Sequence, residues 1–90
     1  MNDLFKRVTV SKFDGDGIEG YSSKLISFYP NIPDGYKIHS FVEFNNDAGT
    51  FIASVSSIAN DAITLRICNF SANIQHPSTM SVTVNCIKSF

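Results

Sequence analysis

The sequence has no tryptophan, only two cysteines, three prolines and two histidines, and no long apolar run. A membrane-spanning helix needs ~20 consecutive apolar residues, and no stretch approaches that length. Cys68 and Cys86 are too widely separated for a C-x-x-C redox or zinc pair. Each lies in an apolar run, where cysteine behaves as a small hydrophobe, so two reduced, buried thiols are expected. An excess of charge of one sign is also missing. Seven basic and eight acidic residues leave a net charge of -1, and only Lys6 and Arg7 are adjacent cations. That balance provides no electrostatic footprint for nucleic acid and no pull toward an anionic membrane. The stretch from Met1 to Phe5 lacks the apolar core of a signal peptide, so synthesis in a cytosol is expected.

Signatures of catalysis are equally scarce. The glycines follow neither the Walker nor the Rossmann pattern, and there is no G-x-S-x-G elbow. Twelve serines and two histidines are present, but no motif sets a nucleophile beside a base. Glu19, Asp34, Glu43 and Asp47 lie in or beside turns, where exposed acids are ordinary. Neither an enzyme nor a cofactor is expected. Asp14, Asp16 and Glu19 form a Gly-rich acidic cluster with the oxygen chemistry calcium prefers, but without EF-hand spacing. A solvated turn is the better reading. His39 falls on the polar face of a strand and His76 precedes Pro77 in a loop, so no metal site is expected.

What the chain does have is short alternating runs separated by turn residues. Ninety residues and 43% apolar content suit one domain with one core, residues 1–90. The first run covers residues 5–13, with Val8 and Val10 on one face, and Asp14-Gly15-Asp16-Gly17 ends it. The second covers residues 23–29, where Leu25, Ser27 and Tyr29 alternate with Ile26 and Phe28. Pro33-Asp34-Gly35 is then a strong turn, because proline presets one torsion and glycine permits positive φ.

The third run spans residues 36–44. Alternation there puts Tyr36, Ile38, Ser40, Val42 and Phe44 on one face, and Lys37, His39, Phe41 and Glu43 toward solvent. The fourth spans residues 50–58, with Phe51, Ala53 and Val55 together, and Asn60-Asp61 suits a two-residue hairpin. In the fifth, Ile63, Leu65 and Ile67 face inward while Thr64 and Arg66 face out. In the last, Met80, Val82, Val84 and Cys86 share a face. Helical spacing is absent, with at most one helical turn across residues 17–23. Six to seven short strands in one small domain predict an all-β, antiparallel β-sandwich. Tyr21, Tyr29, Tyr36 and Phe41 are the aromatic residues nearest turns or on less apolar faces, available for packing or for stacking on a ligand.

The string from Asn60 to Ser71, with Ile63-Thr64-Leu65-Arg66-Ile67 at its centre, resembles the phrase N-x-I-T-L-R-V-x-N-x-S of bacteriophage and prophage tail-fibre proteins. Ser81-Val82-Thr83-Val84-Asn85-Cys86-Ile87-Lys88 resembles their closing strand, and Pro33-Asp34-Gly35-Tyr36-Lys37 their entry into a central strand. The resemblance spans residues 8–88 and is carried by strand and turn residues. It implies a virion structural module made in the bacterial cytoplasm, a homo-oligomer with a trimer favoured, in contact with other virion proteins. It also implies binding of a bacterial surface glycan or protein through loops at residues 14–20, 45–49 and 71–79. Tyr21, Tyr36, Phe41 and His76 are the candidate ligand-binding residues. The rival readings are a capsid or neck decoration protein without a receptor, and a carbohydrate-binding module.

Overall fold

The computed structural model describes residues 4–89. Residues 1–3, which belong to the stretch read for a signal peptide, and Phe90 lie outside the described residues. The fold is all-β. Six strands, β1 (Phe5–Asp14), β2 (Ser23–Phe28), β3 (Tyr36–Asn46), β4 (Phe51–Ile58), β5 (Ile63–Asn69) and β6 (Ser78–Lys88), form two three-stranded antiparallel sheets. The orders are β1-β6-β3 and β2-β5-β4, with β6 and β5 central.

The two central strands carry the cleanest alternation because each is flanked on both sides and buried on its inner face. Ile63, Leu65 and Ile67 of β5, and Met80, Val82, Val84 and Cys86 of β6, have no exposed surface. Each such side chain contributes about 1.5–3 kcal/mol by leaving water. Ile26, Phe28, Ile38 and Phe51 complete this interior, with Ile18 entering from a loop. The edge strands contribute less: Val8 and Val10 only pack against the core's margin, and Val55 is 43% exposed.

One expectation is corrected here. Strand β3 does not alternate without interruption. Its pairing with β6 shifts between Ile38 and Ser40 and again between Phe41 and Glu43. Each bulge inserts one unpaired residue and so swaps the faces of the residues beyond it. The first moves Phe41 opposite inward-facing Val84 and packs it against the core, and the second restores Phe44 to the interior. Phe41 is therefore not directed at solvent. Residues 17–23 hold no helical turn, since Ile18 pairs with Gln75 in an isolated bridge and a turn comes after it.

Turn chemistry matches the residues available. Gly35 takes φ +81° and Tyr36 N–H donates to the Pro33 carbonyl at 3.1 Å, the pattern of a type II turn. Asn60-Asp61 does close a two-residue hairpin, with Ala59 N–H donating to Ala62 at 2.8 Å. Neither residue adopts positive φ, consistent with the lack of a glycine there.

Candidate ligand-binding end of the sandwich

The topology sends the connections β1–β2 (residues 15–22), β3–β4 (residues 47–50) and β5–β6 (residues 70–77) to one end. Two asparagines bind them together. Asn69, at the end of β5, is 1% exposed. Its amide nitrogen donates to the carbonyls of Ile18 (2.8 Å), Asn73 (2.9 Å) and Glu19 (3.3 Å). Its oxygen accepts from the N–H and the hydroxyl of Ser71, each at 2.9 Å. A buried amide is tolerated only when its donors and acceptor are used, and here all are. Asn46, at the end of β3, donates to the carbonyls of Pro77 (2.6 Å) and Thr79 (3.0 Å) and accepts from Ala48 N–H (2.9 Å).

The first and last of these loops run side by side. Ile18 and Gln75 exchange main-chain hydrogen bonds at 2.8 and 3.0 Å, and Tyr21 N–H donates to Ser71 at 3.1 Å. His76 Nδ1–H donates to the Gly15 carbonyl at 2.9 Å. A Cβ on Gly20 would sit 2.3 Å from the Ala72 carbonyl oxygen, so the loops touch only because position 20 has no side chain. Tyr21 next to it takes φ +58°. That conformation is unfavourable for a bulky side chain by about 1–2 kcal/mol and persists where the surroundings over-determine it. The result is a ring 76% exposed to solvent on a fixed backbone.

Tyr21, Ser22, Ser23, Cys68, Asn69 and Phe70 line an open concavity of about 290 Å³. This is at the small end of ligand pockets. Tyr21 and Phe70 are the aromatic residues of this lining, the latter 48% exposed. Ser22 and Ser23 supply hydroxyls, and no charged side chain belongs to the lining. Arg66 at the rim donates to Ser23 Oγ at 2.9 Å, which leaves the Ser23 proton available to an acceptor.

The sequence-based candidates divide. Tyr21 lines this concavity and His76 fastens the same end. Tyr36 is at the opposite end of β3, half-buried against the core with the Lys6 ammonium 5.2 Å from its ring. Phe41 packs on the core. Those two do not join the site. Phe70 and Asn69 were missed as site residues. Phe70 comes directly after the last residue of β5 and reads as a continuation of its alternation, and a buried asparagine leaves no periodic signal.

The acidic cluster is engaged locally. Lys24 Nζ lies 2.8 Å from Asp14 Oδ2 and 3.7 Å from Asp16 Oδ2, and Asp16 N–H donates to Asp14 Oδ1 at 3.0 Å. The Lys24 hydrogen bond holds the Asp14 carboxyl below its ordinary value, and Asp14 in turn raises Lys24. Among the described residues no three His, Cys, Asp or Glu side chains converge as metal ligands would. Cys68 and Cys86 are unpaired. Cys86 faces the interior, where burial pushes its thiol up. Cys68 is only half-buried, on the outer face of the second sheet, which corrects the expectation of two buried thiols.

Fold and site together define a small two-sheet β-sandwich with a braced loop end and an aromatic-lined concavity. No protein-family model, curated protein or solved structure matches the chain.

Proposed function

We propose that this chain is a virion structural module of tail-fibre type whose loop end binds a host-surface glycan. The observation that carries the binding role is Tyr21, an exposed ring on a strained, braced backbone, sharing a concavity with Phe70. Aromatic rings pack on the C–H faces of sugar rings, and the serine hydroxyls and Asn69 backbone complement hydroxyl groups. The lining itself holds no charged side chain, so ring packing and hydroxyl hydrogen bonds would do the holding, as a neutral sugar allows. The virion setting, assembly from the bacterial cytoplasm and a homotrimeric state come from the sequence resemblance.

The test is binding of the full chain to bacterial cells and to immobilised neutral oligosaccharides. Tyr21→Ala and Phe70→Ala should each weaken binding at least about tenfold, the loss of roughly 1.4 kcal/mol. Tyr36→Ala should leave it unchanged. Retention of full binding by both loop variants would defeat the proposal. Binding to assembled particles but to neither cells nor sugars would favour the decoration reading.

A further inference from the structure

We infer that strand β4 is an assembly edge at which a second copy of this chain adds antiparallel, joining two three-stranded sheets into one of six strands. This goes beyond the ligand-binding proposal and does not depend on it.

Each sheet has two open edges, and three of the four carry protection against pairing. Strand β1 bears Lys6, Arg7 and Lys12, β2 is six residues long and bears Lys24, and β3 is interrupted by two bulges and bears Lys37 and Glu43. Strand β4, Phe51-Ile52-Ala53-Ser54-Val55-Ser56-Ser57-Ile58, has no charged residue and no proline. Three of its apolar side chains are uncovered: Ile52 is 57% exposed, Val55 43% and Ile58 40%.

The hydrogen-bond phase shows what this edge offers. Phe70 N–H donates to the Thr50 carbonyl at 3.2 Å. In an antiparallel pair, bonded and non-bonded positions alternate, so Ile52 and Ser54 bond to β5. The N–H and C=O groups of Phe51, Ala53 and Val55 then point to the open side. Three consecutive outward positions before the bulge at Val55/Ser57 select one self-pairing register. A two-fold axis at Ala53 sets Phe51 opposite Val55 of the second copy and Ala53 opposite its counterpart, using all three positions. On the outer face it sets Ile52 opposite Ser54 of the second copy.

The charge pattern chooses the occupant. A second β4 brings no charge to this face and offers the same unprotected edge in return, whereas β1, β2 or β3 of another copy would set charged side chains beside the uncharged Ile52 and Ser54 with no opposite charge to meet them. Residues 51–55 of each copy overlap in this register, a contact roughly 17 Å long and one strand wide. That is at or below the low end of stable interfaces, so the dimer is weak and concentration-dependent.

Sedimentation equilibrium on the full chain up to millimolar concentration tests this. The wild type should dimerise reversibly. Ile52→Glu with Ser54→Glu sets like charges opposite each other twice and should weaken the dimer about tenfold. Ile52→Lys with Ser54→Glu sets opposite charges there and should bind more tightly than the first variant by about the same factor. Both substituted side chains point to solvent in the single chain. A Cys68→Ser, Ala53→Cys protein should also form a covalent dimer under mild oxidation, because bonded antiparallel partners lie about 5.5 Å apart at Cα, within disulfide reach. A wild type that stays monomeric overturns the inference. So does an assembly, dimer or trimer, whose strength is the same in both charge variants.

Discussion

The side-chain amide of Asn69 donates to the main-chain carbonyl of Ile18 at 2.8 Å, and both residues are almost wholly buried. This bond joins the end of a central strand to a loop that crosses between the sheets. It makes the loop end part of the packed domain rather than a fringe on it.

Asn69→Ala removes the donor from the Ile18 and Asn73 carbonyls and the acceptor from Ser71. The Ile18 and Asn73 carbonyls keep the Gln75 N–H and the Ser71 hydroxyl as donors, so the cost is that of the lost bonds and of a Ser71 N–H left without its acceptor, about 2 kcal/mol in urea unfolding. Gly20→Ala should also destabilise the chain, by forcing the Ala72 carbonyl away. A change below about 0.5 kcal/mol for Asn69→Ala would show that the network does not brace the fold.

Phe41 and His39 are two residues apart in β3, and uninterrupted alternation would put them on the same face. The bulges separate them. Phe41→Ala should cost about 2 kcal/mol through lost packing, whereas His39→Ala should lie within about 0.5 kcal/mol of the wild type. Equal effects in chemical denaturation would contradict the inward turn of Phe41.

The two thiols should differ in reactivity. Cys68 is half-buried on an outer face, while Cys86 is fully covered and its thiol is pushed up by burial. The thiolate is the reactive form, so a thiol-specific reagent under native conditions should label Cys68 first. Cys86 should react only on unfolding. Mass spectrometry of the labelled peptides would reveal the reverse order if Cys86 were accessible.

Asp14 titrates below its ordinary value of 3.8 because Lys24 bonds to the carboxylate. A lowered folded-state value means that the stabilisation is present above about pH 4 and is lost as pH falls below 3.8 through the lowered value. Lys24 is raised above 10.5, so the contribution also fades as pH climbs past that point. Asp14→Asn should melt below the wild type at pH 7 and match it in strong acid. A constant gap in melting temperature across that range would show that the pair does not contribute. The pair is exposed on the Lys24 side, so added salt should narrow the difference.

The binding end was only partly legible. Tyr21 is legible only as one of four aromatic residues near turns or on less apolar faces, with Tyr29, Tyr36 and Phe41, and nothing local separates it from them. Phe70 was hidden because Ala62 to Phe70 reads as one uninterrupted strand, whereas β5 ends at Asn69 and Phe70 turns out beside the concavity. Asn69 looked like an ordinary polar residue at a strand end. Its importance depends on Ile18, Glu19 and Asn73, two of which are about fifty residues distant.

Local sequence determined the all-β class, the inward faces of β5 and β6, and the turn at Pro33-Asp34-Gly35. Those features depend on side-chain period and on torsional preferences within a few residues. Tertiary structure decided the strand order, the reversal of Phe41 and the gathering of three loops at one end. Each of these depends on which strand lies alongside which, and period-two alternation is the same whatever the partner.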